Sequence, residues 1–337
     1  MREDESISLR VAMLEAIEED LKRAIQPIQS DRFPELRKMI DYHMGWLNDG
    51  QSRGKRIRPL IALLCCAAAG GDWENILPAA SAIELIHSFT LVHDDIEDHS
   101  DTRRGRATLW KLWGVPQAIN TGDSLFIISR LTTHRLAEKG INPQLILEAQ
   151  YTLDQACLQL TQGQHLDLSF ETQDKVTVDD YFEMIEGKTS ALITASSTIG
   201  AQLAGAPESI IEKYRTFGHH LGLAFQVQDD ILGIWGDPEK TGKPASDDLR
   251  QRKKTLPTLY AVANSPSFAD LFIQESDQVT VQDLYESINQ VDALVHVQNF
   301  SHQQTELALQ ALGEAEPKEP AARELNNIAN RLIRRES

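Results

Sequence analysis

Apolar residues return at three- and four-residue intervals along almost the whole chain, and no other feature restricts the fold as strongly. The pattern begins with Leu9, Ala12, Met13, Ala16, Ile17 and Leu21 and continues through 34–48, 56–69, 75–98, 115–138, 143–168, 178–204, 208–235, 254–264, 281–313 and 320–335. Alternating strand-like runs are nearly absent. A chain patterned this way buries its apolar stripes by packing helix on helix, which predicts an all-α fold. Glycine and proline fall between the periodic stretches, as at Gly70-Gly71, Gly140 to Pro143, Gly205 to Pro207 and Gly236 to Pro244, where loops are expected. The length of 337 residues alone favours about two domains. No composition shift or internal repeat divides the chain, so the pattern predicts one large helical domain over 1–337. Residues 1–50 and 314–337 are read as peripheral helices, with Glu314 to Pro320 as a short linker before a final surface helix.

A hydrophobic fraction of 41% is too high for a disordered chain. Fifty acidic residues against 33 basic ones give a net charge of -17, which argues against a nucleic-acid partner bound through phosphates. Cys65, Cys66 and Cys157 form no CxxC pair, so buried reduced thiols are expected. The acidic stretch MREDESISLR has no apolar core of a signal peptide, and the most apolar run, Pro59 to Gly71, is too short to span a bilayer. A cytoplasmic protein with no transmembrane segment is the expectation.

The segment Glu84 to Asp98 (ELIHSFTLVHDDIED) runs an apolar helix straight into a dense acidic patch. On a helix Asp94 and Asp98 are neighbours one turn apart, Asp95 is offset by about 100°, and His87 lies about two turns earlier on the Asp94 face. Like charges at that spacing repel, and the negative end of a helix disfavours acids, so a solvated acidic helix end is a weak account. Oxygen-ligated divalent cations are a better one, and magnesium commonly completes its shell with waters and substrate phosphates. A second pair, Asp229-Asp230, ends another apolar helix 135 residues after the first. Two helices carrying carboxylates at corresponding ends can hold metal in a helical core.

The cations are few but concentrated. Arg53, Lys55, Arg56 and Arg58 gather at a helix start, where acids would be the better surface choice, and such a cluster suits an anion. Arg103-Arg104 follow the first acidic cluster closely, and two guanidinium groups in sequence can reach different phosphates. Lys243, Arg250, Arg252, Lys253 and Lys254 follow the second. Gly187-Lys188-Thr189 and Gly242-Lys243 both lack the glycine spacing of a nucleotide-binding loop. His93-Asp94 matches the dipeptide of helical metal phosphohydrolases, a scheme that leaves Asp95, Asp98 and the second pair unexplained. Carboxylates beside cations, twice over, describe a metal-diphosphate site.

These residues resemble the trans-isoprenyl diphosphate synthases, or polyprenyl synthetases. The matching blocks are GKRIRPL at 54–60, ELIHSFTLVHDDIED at 84–98, RRG at 103–105, GKTSAL at 187–192, FQVQDDILG at 225–233 and GDPEKTGKPASDDLRQRKKTLP at 236–257. The resemblance implies long, mostly antiparallel helices around a deep central cavity, a homodimer, and three magnesium ions bridging an allylic diphosphate to the two aspartate-rich helices. By that resemblance Asp94, Asp95 and Asp98 hold metal on the first helix, and Asp229, with Asp230 nearby, on the second. Arg103, Lys188 and Lys253, helped by Lys243, would bind the allylic diphosphate. Lys55, Arg58, His87 and Arg104 would take isopentenyl diphosphate, and Thr189 and Gln226 would turn oxygen dipoles towards a carbocation. The implied reaction is head-to-tail prenyl transfer: ionisation of the allylic diphosphate (dimethylallyl, geranyl or farnesyl), attack by isopentenyl diphosphate, and proton loss.

Two positions depart from the family pattern. Gly233 stands where the second motif usually ends in aspartate, and Arg252 replaces a frequent glycine before Lys253. Phe89 and Thr90, five and four residues before Asp94, lie where a side chain can limit product length. Phe89 together with the uninterrupted DDIED points to geranylgeranyl diphosphate as product, with farnesyl diphosphate the alternative. A class I terpene cyclase would share the acidic helices but has no need of GKRIRP and Arg104. An inactive synthase subunit has only Gly233 in its favour.

Overall fold

The computed structural model describes residues 2–47, 53–237, 246–274 and 279–333. Among these residues strand is confined to one hairpin, β1 (Thr102–Arg103) and β2 (Arg106–Ala107), and the rest of the regular structure is helical, as the periodicity requires. The helices are α1 (Arg2–Ala24), α2 (Pro34–His43), α3 (Ile57–Ala68), α4 (Leu77–Glu97), α5 (Leu109–Trp113), α6 (Val115–Thr133), α7 (Pro143–Thr172), α8 (Val178–Ile185), α9 (Ala191–Leu203) and α10 (Glu208–Trp235). They continue with α11 (Asp247–Arg250), α12 (Leu256–Asn264), α13 (Pro266–Ile273), α14 (Val281–Ile288), α15 (Ala293–Glu314) and α16 (Ala321–Ile333). The chain divides into two compact units drawn from non-contiguous stretches. One comprises Met1–Asp154, Ala195–Tyr214 and Ala315–Leu325, the other Gln155–Thr194, Arg215–Glu314 and Asn326–Ser337.

In the first unit α4 packs against α1, α3 and α6. Its residues from Pro78 to Ile86 are all buried, and a helix apolar on every face has to be enclosed by others. Trp73–Glu97 is, among the described residues, the one stretch long and apolar enough to cross a membrane, and 67% of its most apolar window is buried inside the protein. It is a core helix that ends in aspartates. From α1, Met13, Ile17 and Leu21 are fully buried, each contributing roughly 1.5–3 kcal/mol of burial energy. The start of α16 is more deeply set than a surface helix: Ala321, Ala322 and Leu325 are buried, and the enclosed Glu324 carboxylate accepts a 2.9 Å bond from Arg10.

The second unit holds two apolar clusters. One gathers Tyr181, Met184 and Ile185 of α8 with Leu223, Val227 and Ile231 of α10 and Leu256 of α12. The other joins Ile234, Leu249, Phe268, Leu284 and Ile288. Local chemistry sets three boundaries that periodicity missed. The expected helix over 281–313 is interrupted at Asn289 to Asp292. Helix α13 starts where the Ser265 hydroxyl caps the Phe268 N–H at 3.2 Å, with Pro266 in its first turn. The expected helix over 178–204 opens into a π-helical turn at Glu186–Ser190.

Candidate active site

The acidic end of α4 is graded in exposure. Asp95 is 3% exposed, Asp94 half-buried, and Asp98 an exposed C-cap residue whose N–H bonds the Asp94 carbonyl at 2.9 Å. Arg103 pairs with two of these carboxylates: its Nε donates to Asp95 Oδ1 at 2.6 Å and its Nη2 to Asp94 Oδ2 at 3.4 Å. Burial pushes the Asp95 carboxyl up to about 6, with the adjacent Arg103 charge opposing.

Arg103 reaches that position because residues 102–107 form a hairpin, a feature that two-residue strands give too little sequence to reveal. Its turn places Arg104 at φ 52° and Gly105 at φ 72°, the left-handed pair of a type I′ turn. Arginine is a strained choice there, and α2 clamps the hairpin in compensation. Tyr42 Oη donates to the Ala107 carbonyl at 2.8 Å, while Arg106 donates to the Tyr42 carbonyl at 2.9 Å and stacks over its ring.

About two turns before Asp94 on the same helix lies a cationic site without carboxylates facing it from the hairpin. Arg58 Nη1 donates to His87 Nε2 at 3.3 Å, and the Arg58 Nε is buried with no hydrogen-bond partner. Burial, followed by the Arg58 and Arg104 charges, holds His87 well below the usual histidine range, so the ring is neutral. Arg104 lies against the backbone of Gly54, where an added Cβ would sit 2.6 Å from its Nη2. Lys55 is exposed in the same segment. Arg56, by contrast, is buried and directed inward, its whole fork engaged by Glu18, Glu84 and the Met44 carbonyl. His43 faces the same arginines. Burial, then Arg104 and Arg103, push its ring down to about 3, and it lines a small cavity with Asp95, Arg103, Arg104 and Arg106.

In the second unit α7 and the π-helical turn approach backbone to backbone. A Cβ on Gly163 would lie 2.2 Å from the Lys188 nitrogen, and one on Gly187 would lie 2.6 Å from the Gln159 carbonyl oxygen. Glycine at both positions allows the contact, and the widened turn presents Lys188, paired with Asp167, next to the buried Thr189. Thr189 Oγ1 donates to Gln226 Oε1 at 2.6 Å, and Gln226 Nε2 donates to Asp230 Oδ1 at 2.9 Å.

The two aspartates of the second motif separate sharply. Asp229 is exposed, whereas Asp230 is 3% exposed and accepts from Gln226, from Tyr181 Oη at 2.5 Å and from the Leu256 N–H at 3.2 Å. Burial pushes its carboxyl up to about 7. Asp230, expected beside Asp229 at the metal, thus has three internal hydrogen-bond donors in the second unit. Arg252 adopts φ 54°, which explains why glycine suits the position, and its guanidinium donates to the carbonyls of Leu271 (2.6 Å) and Gln274 (3.1 Å). Lys253 is exposed beside it. Lys243 lies outside the described residues.

Phe89 is half-buried, its ring packed on His93 at 5.1 Å and on Phe126 of α6 at 5.4 Å, and Thr90 Oγ1 donates to the His87 carbonyl. Sequence reasoning missed Glu84, His43, Tyr181 and Asp248. Glu84 carried a signal, as an acid in the middle of an apolar helix; the others take their meaning from partners distant in the chain.

The polyprenyl synthetase profile matches residues 34–291. The chain is 40% identical to a (2E,6E)-farnesyl diphosphate synthase of Mycobacterium bovis over 259 residues, covering 74% of this chain and 71% of the relative. It is 39% identical to a geranylgeranyl diphosphate synthase of Mycobacterium tuberculosis over 319 residues, 88% of each chain. A geranylgeranyl pyrophosphate synthase from Corynebacterium glutamicum, solved with isoprenyl diphosphate and magnesium, superposes with a TM-score of 0.83 at 27% identity, covering 97% of this chain and 98% of the other. With the profile spanning most of its length and a relative 39% identical over 88% of the chain, this chain belongs to the polyprenyl synthetase family.

Proposed function

We propose that this enzyme, a prenyl-transferring transferase, adds isopentenyl diphosphate to an allylic diphosphate and stops at geranylgeranyl diphosphate. One observation supports the reading: α4 carries two different polar clusters about 10 Å apart along its axis, Asp94 and Asp98 with Arg103 at its end and His87 with Arg58 two turns earlier, which we assign to the two diphosphates. A cyclase ionises one diphosphate and needs one such site, whereas chain elongation needs two.

The donor chemistry suits magnesium: Asp94 and Asp98 in the first unit, and Asp229 in the second, each carry hard carboxylate oxygens on half-exposed or exposed side chains that leave room for water and phosphate. Each acidic motif would contribute ligands to the metal, which when bound supplies Lewis-acid stabilisation of charge growing on the leaving diphosphate. Arg103, Lys188 and Lys253 bind the allylic diphosphate. Lys55, Arg58 and Arg104 take isopentenyl diphosphate, with neutral His87 orienting Arg58. Thr189 and Gln226 place oxygen dipoles near the allylic cation, and Asp230 fixes the Gln226 amide. The proton released on condensation passes to the departing pyrophosphate, so no dedicated protein base is needed.

Phe89 and Thr90 set product length, Phe89 through a ring braced by Phe126. A second copy of the chain covers the apolar side chains that α6 and α7 leave exposed in the first unit: Val115, Ile119, Ile127, Leu131, Leu147 and Tyr151. A reducing, cytoplasmic setting accords with three buried, unbridged cysteines.

The test is incubation of the purified enzyme with magnesium, labelled isopentenyl diphosphate and each allylic primer, with products sized. A twenty-carbon product supports the proposal and a fifteen-carbon one the farnesyl alternative. Cyclised hydrocarbon identifies a cyclase, and absence of turnover an idle subunit. Phe89→Ala should lengthen the product, and light scattering should give the mass of a dimer.

A further inference from the structure

Helix α4 reads the GKRIRP segment at two successive turns. Glu84 Oε1 accepts from Arg56 Nη1 at 2.7 Å, and three residues later His87 Nε2 accepts from Arg58 Nη1 at 3.3 Å. Positions three apart on a helix lie on one face, so two neighbouring side chains of α4 hold alternate arginines of the incoming segment. The upstream arginine is fully committed. Its Nε donates to Glu18 Oε1 at 2.7 Å and its Nη2 to the Met44 carbonyl at 3.0 Å, which leaves each guanidinium nitrogen bonded inside the protein. Trp46 Nε1 fixes the other Glu18 oxygen at 2.7 Å.

The Arg56 backbone adopts φ 50°, ψ 37°, a left-handed conformation that a residue with a side chain disfavours. Its carbonyl begins α3 by accepting from the Leu60 N–H at 3.1 Å. Burial opposes the Arg56 charge, but Glu84 and Glu18 outweigh it. The buried fork thus maintains a turn that the backbone alone disfavours, directly between Lys55 and Arg58.

We propose that Glu84 and Arg56 are positioning residues: neither touches substrate, and together they hold the turn that presents Lys55 and Arg58 and thereby set the affinity for isopentenyl diphosphate. This rests on the assignment of the cationic half of α4 to that substrate. The charge of Glu84 makes the inference testable by sign. If Glu84 acted only as a negative charge among arginines, its neutralisation would strengthen binding of an anionic ligand. If it positions the turn, neutralisation weakens binding.

The experiment compares wild type, Glu84→Gln, Arg56→Lys and the double variant by calorimetric titration with isopentenyl diphosphate and by steady-state kinetics, with circular dichroism and melting as folding controls. Each single variant should raise Kd and KM for isopentenyl diphosphate about tenfold, with kcat and the allylic KM within about twofold. The double variant should match the singles instead of multiplying them. Glu18→Gln, which loosens one arm of the fork at a partly exposed side chain, should give a smaller shift of about two- to threefold and decides the matter if Glu84→Gln does not fold. Unchanged or tighter binding in folded Glu84→Gln overturns the proposal, as does a parallel rise in both KM values. A wild-type enzyme that binds no isopentenyl diphosphate in the calorimeter overturns the functional assignment itself.

Discussion

The carboxylate of Asp248 stands where a side chain on residue 233 would begin: a Cβ built on Gly233 falls 2.1 Å from Asp248 Oδ2 and 2.5 Å from its Cγ. The second aspartate-rich motif lacks its usual last aspartate, yet the space beside it is filled by a carboxylate arriving from fifteen residues further along the chain. Gly233→Asp, which would complete the family pattern in sequence, should therefore crowd two carboxylates and displace Asp248. The expected cost is about 1–3 kcal/mol of stability, with no gain in magnesium affinity. Urea unfolding and the magnesium dependence of turnover check this, and a fully stable variant with a lower magnesium requirement would contradict it.

Asp229 and Asp230 should separate in mutagenesis as they do in exposure. Asp229→Asn should reduce turnover by about a hundredfold or more while melting hardly changes, because the side chain is exposed. Asp230→Asn places an amide against Tyr181 Oη and the Leu256 N–H, and should cost about 1–3 kcal/mol of stability. Equal melting temperatures for the two variants would show that Asp230 does not anchor this network.

His43 gives a pH dependence of known sign. Its ring is pushed down to about 3 in the folded protein, chiefly by burial and then by Arg104 and Arg103, while the unfolded chain protonates near 6.5. Between those values the unfolded state binds more protons, so this residue's contribution to stability is complete above about pH 6.5 and is lost as pH falls. His43→Asn should lessen the acid sensitivity by up to about 1.4 kcal/mol per pH unit in that window. Urea midpoints at pH 7, 6 and 5 for both proteins measure the difference, and parallel curves would refute it.

Arg252 trades backbone strain for side-chain bonds. Arg252→Ala keeps the strained φ of 54° and loses both bonds to the Leu271 and Gln274 carbonyls, which should cost about 1–2 kcal/mol. Arg252→Gly loses the same bonds but relieves the backbone, so it should be the more stable of the two by about 1 kcal/mol. The reverse order in thermal melting would place the energetics elsewhere.

The amino-acid sequence by itself determined the helical class, the positions of most helices, the two aspartate-rich motifs carried on helices and the cationic segments that neighbour them along the chain. Those features are local: a repeat near 3.6 marks a buried helix face, and motif blocks keep their spacing along the chain. Tertiary structure decided what each charge does. Arg56 and Arg58 are two residues apart with the same side chain, yet one is bonded on every nitrogen inside the protein and the other keeps a buried Nε without a partner. Asp229 and Asp230 are adjacent, yet Tyr181, Gln226 and Leu256 claim only the second. Asp248 closes the gap at Gly233, and a hairpin of two-residue strands brings Arg103 to Asp95. Burial and partners set the role of a charged group, and both come from segments distant in the chain that only folding brings together.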